Sequence, residues 1–273
     1  MKNERKAVSL RAPHDAGEII GYAYRLYARH FLALFLLGLT TAPLQMLAGV
    51  IQDRAGNSNG GQLGIAGLQL LSALVILVAT GALIHAVNDI ASGQAPDFNR
   101  SLDAAFERFA ALLTTNLLGG MLTLLSVIAI PYFVVRRRFD AALSVPYFVV
   151  RWNFSPQAVM LEGKRNWAAL DASSSIVKGR WWRTLGVLLL ITLVAIGPFM
   201  IAGAAQALPA IAAATVLSAV FALMLPFIVG AQTLLYYDLR ARTLQLPIDE
   251  ILPPPAEDAG QALPPADGPD GDQ

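Results

Sequence analysis

A run of 54 consecutive residues without a charged side chain, 184–237, restricts this chain more than any other feature. A helix needs about 20 apolar residues to cross the hydrocarbon of a bilayer, so this run is long enough for two membrane spans. Three more apolar stretches are long enough for one span each. The five strong spans are predicted at 31–51, 63–87, 110–135, 184–203 and 210–237. Since 55% of the residues are hydrophobic and only 14% are charged, the sequence predicts an all-α, polytopic transmembrane helical bundle.

The distribution of lysine and arginine favours an even number of spans. Five spans would place the two basic clusters, in residues 1–30 and 164–183, on opposite sides of the membrane. A sixth, weaker span puts 15 of the 20 basic residues on one side: six near the N-terminus, two after span two, five in 164–183 and two after the last span. Because loops rich in Lys and Arg face the cytoplasm, we expect six spans, with both termini cytoplasmic.

The weak span must lie where the string PYFVVR occurs twice, at 131–136 and 146–151. A helix over 131–150 would carry three arginines into hydrocarbon, at a cost of about 2.5–3.5 kcal/mol each. A helix over 143–162 carries only Arg151, so the fourth span is predicted there. Three prolines in this region remove backbone donors, and they predict kinks.

Two polar segments have the pattern of helices that lie on a membrane surface. In 97–113, apolar residues recur at helical spacing with charges on the opposite face, as in an interfacial amphipathic helix. In 164–183, basic residues bracket one apolar stripe, which indicates anchoring to anionic lipid headgroups; ligand binding is the alternative. The candidate lipid contacts are Lys164, Arg165, Trp167, Lys178, Arg180, Trp181, Trp182 and Arg183.

The two ends of the chain are predicted to lie outside the bundle. Residues 1–30 form a basic cytoplasmic segment, and residues 244–273 form an acidic tail rich in Pro, Gly and Ala that buries too little apolar surface to fold. A net charge of +1 gives no general attraction to nucleic acid. The lipid bilayer, with its anionic headgroups, is therefore the predicted partner, and the sequence identifies no protein partner.

Arg151 and Glu162 form the candidate intramembrane polar site. An ionisable group at membrane depth usually faces the bundle interior, so Arg151 is expected to bind an anionic headgroup or substrate, or to pair with Glu162 or Asp238. The alternative is an arginine that reaches out to an interface. His85 and Asp89, one helical turn apart, could form a proton relay or half a metal site, although a polar helix end explains them better. The chain has no cysteine and no standard catalytic motif, so no catalytic residue, metal site or cofactor is predicted.

Four segments together resemble one family. They are GEIIGYAYRLYARHFLALFLLGL (17–39), PYFVVRWNFSPQAVMLEG (146–163), AALDASSSIVKGRWWRTLG (168–186) and LLYYDLRART (234–243). Their order and spacing resemble the membrane domain of some glycerophosphodiester phosphodiesterases, which also occurs in stand-alone, YciC-like bacterial membrane proteins of unknown function. The resemblance covers residues 15–243 and implies six spans and cytoplasmic termini. It implies no activity, because the phosphodiesterase barrel and its His-Arg-Gly string are absent, and it makes 131–145 an insertion.

Three functions follow as hypotheses. The first is a non-catalytic membrane protein that acts in envelope organisation, lipid handling or support of a partner. The second is a small transporter or lipid-moving protein with Arg151 in its pathway; such proteins usually contain repeats and broken helices, and Pro198 and Pro226 could break two spans. The third is a membrane enzyme, which needs a convergent polar site that the sequence does not show. A cavity converging on Arg151 would favour the second hypothesis, and a solid bundle the first.

Overall fold

The computed structural model describes residues 16–55, 59–135 and 144–244, and every regular element in these ranges is helical. The helices are α1 (Ala16–Arg29), α2 (Phe31–Leu39), α3 (Ala42–Ala55), α4 (Asn59–Ala91), α5 (Phe98–Glu107), α6 (Phe109–Val135), α7 (Ser144–Trp152), α8 (Ser155–Glu162), α9 (Trp167–Val177), α10 (Trp181–Ala204) and α11 (Ala210–Leu244). A 3₁₀ turn over Ala205–Ala207 joins α10 to α11. The all-helical prediction is confirmed. The residues before 16, the triple arginine of the predicted insertion and the predicted tail beyond 244 lie outside the described residues.

Five helical stretches are long and apolar enough to cross a membrane, with mean hydropathies from 1.6 to 2.6. They are Phe31–Ile51, Gln62–Ala91, Phe109–Val127, Trp181–Ala204 and Ile211–Leu244. Each overlaps one of the five strong spans expected from the sequence. The first stretch is α2 followed by α3, and the hydroxyls of Thr40 and Thr41 donate to carbonyls at the end of α2. These bonds satisfy backbone groups that the break between the two helices would otherwise leave without partners.

The segment predicted as the fourth span, 143–162, is not one of these five stretches. It forms α7 and α8 with a short turn between them. Pro156 in the first turn of α8 has no N–H and cannot donate to the preceding turn. The Ser173 hydroxyl of α9 binds two backbone groups at the break: it donates to the Arg151 carbonyl at 2.7 Å and accepts from the Phe154 N–H at 3.2 Å. Helix length therefore does not confirm a count of six spans.

The first segment expected on the membrane surface, 97–113, is two helices rather than one. Asp97 caps the start of α5 by accepting a hydrogen bond from the Arg100 N–H. α5 ends before Arg108, and α6 begins after it. α5 packs against α4, because a Cβ added at Gly81 of α4 would contact the side chain of Ala105 on α5. Its inner face is thus covered by protein, and a position on the membrane surface is not confirmed.

The second such segment, 164–183, is also divided. α9 ends before Gly179, whose positive φ of 79° favours glycine, and α10 begins at Trp181. The apolar stripe of α9 faces the bundle, since Leu170 and Val177 are buried. α9 is therefore part of the packed helical core, and its predicted role as a surface anchor is not confirmed.

The C-terminal half of α11 forms the centre of this core. Nearly every side chain from Leu225 to Ala241 is buried, including the large side chains of Leu235, Tyr236 and Leu239. A helix that is buried on all sides must be surrounded by other helices. Here α1, α4, α9 and α10 pack around it.

Charged and polar side chains gather where several helices end, in a layer around Asp89, Glu162 and Asp238 that we call the polar end. The Tyr237 hydroxyl near the end of α11 donates to Asn88 near the end of α4 at 2.5 Å. Asp238 also pairs with the first turn of α10. In addition, the side chain of Arg108, the residue before α6, donates to two carbonyls in the last turn of α8. Hence α4, α8 and α11 end at the polar end, whereas α6 and α10 begin there.

The opposite half of the long helices, which we call the far half, exposes large apolar side chains. Examples are Leu63 on α4 at 76% exposed and Leu193 on α10 at 64%. Leu124 of α6 and Ile211 of α11 are exposed as well. Apolar surface of this extent is stable only against hydrocarbon or another protein, and it fits the five helices that are long enough to span a membrane.

Candidate functional site

Three carboxylates organise the polar end, and the first is Glu162 at the end of α8. The Lys164 ammonium lies 2.7 Å from it and the Arg240 guanidinium 3.4 Å, and the Tyr236 hydroxyl donates a short hydrogen bond to it. Burial by itself raises the pKa of Glu162. The hydrogen bonds from Lys164 and Tyr236 and the charge of Arg240 outweigh this effect, so the pKa of Glu162 lies below its ordinary value.

Asp238 on α11 is the second carboxylate and the most deeply buried of the three, at 1% exposed. Arg183 of α10 lies 3.0 Å from it, and Arg242, one turn further along α11, lies 2.9 Å away. A buried carboxylate between two guanidiniums is fully compensated in charge. The arrangement ties the start of α10 to the end of α11.

Asp89 near the end of α4 is the third carboxylate. Arg100 of α5 donates to it at 2.7 Å. The sequence also indicated His85, and the structure brings His85 Nδ1 to 3.4 Å from the Asp89 carboxylate without forming a hydrogen bond. In the described residues, no group of three or more His, Cys, Asp or Glu side chains could hold a metal ion. The pair therefore belongs to the junction of α4 and α5.

Arg151 in α7 lies apart from these carboxylates. Its Nε donates to the Ser174 hydroxyl at 2.8 Å, and its Nη1 donates to the Tyr147 hydroxyl at 2.9 Å. Neither Glu162 nor Asp238, the two partners that the sequence suggested, is bonded to it. Arg151 shares a groove with Trp181, the first residue of α10, so it lies at the level where α10 begins.

The candidate lipid contacts of 164–183 divide into two groups. Lys164 and Arg183 pair with carboxylates, and Arg180 donates to the Arg242 carbonyl at 2.8 Å, which caps the C-terminus of α11. Arg183 and Arg180 therefore connect α10 to α11, whereas Lys164 pairs with the carboxylate two residues before it at the end of α8. The other members lie at the surface or in the groove: Arg165, Trp167 and Trp182 are exposed, and Lys178 and Trp181 line the groove with Arg151.

Two contributors to the polar end were not predicted. Arg108 joins the start of α6 to the end of α8 by donating to the carbonyls of Val159 and Met160 at 2.8 and 2.6 Å. Ser173 joins α9 to the break between α7 and α8. Arg108 is one of five charged residues in 97–113, and the sequence does not distinguish it from the others. The triple serine at 173–175 hints at the second without showing which hydroxyl faces inward.

Chemically, the polar end combines two kinds of cation. Most of them neutralise a carboxylate or cap a helix, and Glu162, Asp238 and Asp89 each contact a cation. Arg151 and Lys178 have no carboxylate partner among the described residues, and both face one open groove. Such a groove is suited to bind an anion.

No protein-family model, curated protein or solved structure matches this chain. The resemblance to the phosphodiesterase membrane domain therefore stays a prediction.

Proposed function

We propose that this chain is a multi-pass protein of the bacterial inner membrane, without catalytic activity, that binds anionic phospholipid at its cytoplasmic side. The observation that carries the proposal is the position of the unpaired cations. Arg151 and Lys178 lie in an open groove beside Trp181 and Trp182, and Trp182 is 76% exposed. Tryptophan is enriched at membrane–water interfaces, and cations at that level attract anionic headgroups.

The positions of the helix ends support six crossings with cytoplasmic termini. α6 and α10 both begin at the polar end, and α6 runs about 40 Å away from it over its 27 residues. The chain must therefore return to the polar end between the end of α6 and Tyr147 of α7, whose ring stacks on Trp181 at the start of α10. This return makes the number of crossings even, as the distribution of Lys and Arg requires.

The charge pairing at the polar end supports a role other than catalysis. Glu162, Asp238 and Asp89 each contact at least one cation, and an enzyme that transfers protons needs a carboxylate or imidazole poised to change its charge. Such a tightly paired layer instead holds helices together. The proposed roles are accordingly lipid handling, envelope organisation or support of a partner protein.

Extraction into native nanodiscs followed by lipid identification tests the proposed function. We expect anionic phospholipid to be enriched in the discs relative to the bulk membrane. A lipid composition equal to that of the bulk membrane would contradict the proposal. A membrane protein of similar size, extracted from the same cells, provides the control.

Cysteine accessibility tests the topology, because the chain contains no cysteine of its own. Single substitutions Arg137→Cys and Arg165→Cys are labelled in intact cells with a reagent that does not cross membranes. We expect labelling at 137 only, since the proposal puts 165 in the cytoplasm. Labelling of both positions from the same side would rule out six crossings.

A second candidate function is movement of lipid or another anion through the membrane. The specific observation in its favour is the break between α7 and α8 next to Arg151, together with the prolines inside α10 and α11. The groove at Arg151 is open to the surface, which suits binding better than passage. Proteoliposomes with a fluorescent anionic lipid separate the two functions: a binding protein leaves the rate of transbilayer movement at that of protein-free vesicles, whereas a transporter raises it.

A further inference from the structure

A surface groove of about 370 Å³ lies between α7, the end of α9 and the start of α10. Tyr147 and Arg151 form one wall, Ser174 and Lys178 the other, and Trp181 completes it. Aromatic packing supports the first wall, because the ring of Tyr147 stacks on Trp181 with centroids 6.2 Å apart. The groove is therefore built from three helices that the fold holds in place.

Two hydrogen bonds orient the guanidinium of Arg151, and some of its N–H donors have no partner among the described residues. Nε binds the Ser174 hydroxyl and Nη1 binds the Tyr147 hydroxyl, while Nη2 makes no hydrogen bond to any described residue. The Ser174 hydroxyl in turn donates to the Leu170 carbonyl at 2.7 Å. The arginine is thus held from two sides, and its remaining N–H groups are available to a ligand.

The other polar groups of the groove without partners are donors too. Lys178 has no carboxylate or carbonyl partner among the described residues. The Trp181 indole Nε1 is buried and has no acceptor. Tyr147 accepts from Arg151, which leaves its own hydroxyl hydrogen available. Donors without partners next to two positive charges favour binding of a ligand that has negatively charged acceptor atoms.

The contrast with the neighbouring cations makes this set specific. Arg100, Arg183 and Arg240 each lie within 4 Å of a carboxylate, so their charge is already compensated inside the protein. Arg180, just before α10, is held by the Arg242 carbonyl. Arg151 and Lys178 face the groove and contact neither a carboxylate nor a carbonyl of a described residue, so a bound anion would compensate their charge.

We propose that this groove is a binding site for the phosphate of an anionic glycerophospholipid, with the phosphate between Arg151 and Lys178. A lipid fits better than a free anion because the groove lies beside the exposed Trp182 at the level where α10 enters the membrane. The exposed Trp182 and Leu189, two turns apart on one face of α10, offer apolar surface beside the groove residue Trp181 along which the acyl chains can lie. This inference rests on the proposed lipid-binding function and names the site and the lipid class.

Native mass spectrometry of the purified full chain tests the site. The protein is equilibrated with mixed micelles containing phosphatidylglycerol or phosphatidylcholine, and the bound lipids are counted as detergent is removed. We expect the wild type to retain phosphatidylglycerol. Arg151→Gln should lower its retention about tenfold, since a hydrogen bond to a charged group is worth about one tenfold step, and Lys178→Gln about fivefold.

Arg165→Gln is the matched control, because Arg165 is an exposed arginine of the same segment that lies outside the groove. We expect it to retain phosphatidylglycerol like the wild type. Lys178→Gln should fold like the wild type, because Lys178 is exposed and makes no hydrogen bond to a described residue. It therefore separates a loss of lipid binding from a folding defect. An unchanged thermal unfolding midpoint for this variant, with weaker lipid retention, would support the site.

Four other outcomes would overturn the inference. Wild-type retention in both groove variants would reject the groove and leave the proposed function standing. An equal loss in Arg165→Gln would indicate general surface charge rather than a site. Loss of lipid on addition of millimolar inorganic phosphate would identify a free anion as the ligand. No preference for phosphatidylglycerol in the wild type would remove the proposed function itself.

Discussion

α4 passes through two different environments along a single helix. From Leu63 to Leu77 none of its side chains is buried, whereas from Val78 to Asp89 most of them are. α11 repeats the contrast, with exposed residues such as Ile211 at its start and a buried C-terminal half. The far half thus relies on hydrocarbon to cover its apolar surface, whereas the polar end packs like the core of a soluble protein.

The difference teaches which interactions hold the bundle together. In the far half, lipid tails are as apolar as the side chains, so burial between helices gains little. At the polar end, helices are joined by ion pairs, hydrogen bonds and dense packing, and each of these leaves a costly group behind when one partner is removed. Substitutions should therefore be much more disruptive at the polar end than in the far half.

The largest expected effect is at Asp238. Asp238→Ala leaves Arg183 and Arg242 without their shared carboxylate in a buried setting, and breaking such a pair costs about 3–5 kcal/mol. We expect a large drop in the thermal unfolding midpoint in detergent. Leu193→Ala, at an exposed position of α10, is the far-half control and should change the midpoint little. Equal losses in the two variants would show that the two regions do not differ.

Two glycines give a smaller test of the same comparison. A Cβ at Gly38 of α2 would clash with the Ala222 carbonyl of α11, whereas a Cβ at Gly67 of α4 would meet nothing within 4 Å. Gly38→Ala should therefore destabilise the fold by about 1–3 kcal/mol through overpacking. Gly67→Ala should stabilise it by about 0.5–1 kcal/mol, because alanine is the better helix former. Unfolding free energies in one detergent measure both, and a loss at Gly67 would contradict an open face on the far half of α4.

Substitution of Ser173 tests whether its hydroxyl stabilises the break between α7 and α8. Ser173→Ala removes the hydroxyl that serves the Arg151 carbonyl and the Phe154 N–H, and it leaves two backbone groups unsatisfied. The expected loss is about 1–3 kcal/mol. Ser175→Ala is the control on the same helix, since Ser175 is exposed and bonds only to the Ala172 carbonyl of its own turn. A cost at Ser175 equal to that at Ser173 would contradict this role.

The far half could be predicted from the sequence much more completely than the polar end. A membrane span is a local pattern, and all five membrane-length stretches follow from uninterrupted apolar residues, although the sequence did not show the break between α2 and α3 in the first of them. The contacts of the polar end join distant residues: Tyr236 and Glu162 are 74 positions apart, and Tyr237 and Asn88 are 149 apart. No local periodicity records such pairings.

The candidate site shows the same limit. The sequence drew attention to Arg151 because a charge in an apolar segment is costly. The prolines of 143–162 predicted a kink, and the helix breaks just before Pro156, but the sequence did not show that Ser174 and Tyr147 are the partners of Arg151. The sequence also could not divide the basic residues of 164–183 into those that pair with carboxylates and those that face the groove, because that division depends on how α9 and α10 pack.

The smallest expected effect is the dependence of stability on pH, which we assign to Glu162 of the polar end. The pKa of Glu162 in the fold lies below its ordinary value of 4.5 because Lys164, Tyr236 and Arg240 stabilise the carboxylate. The unfolded chain therefore binds a proton at a higher pH than the folded chain does. The stabilisation from Glu162 is complete above pH 4.5 and is lost as the pH falls through the lower pKa of the fold.

Glu162→Gln removes this contribution while keeping the shape of the side chain. We expect the variant to be less stable than the wild type at pH 7, and the gap between the two to narrow as the pH is lowered from 5 to 3. Unfolding midpoints across this range measure the gap, with Arg165→Gln as a control whose offset from the wild type should not change with pH. A gap that stayed constant would mean that the carboxylate of Glu162 is not preferentially stabilised by its three partners, and that packing rather than charge joins α8 to α11.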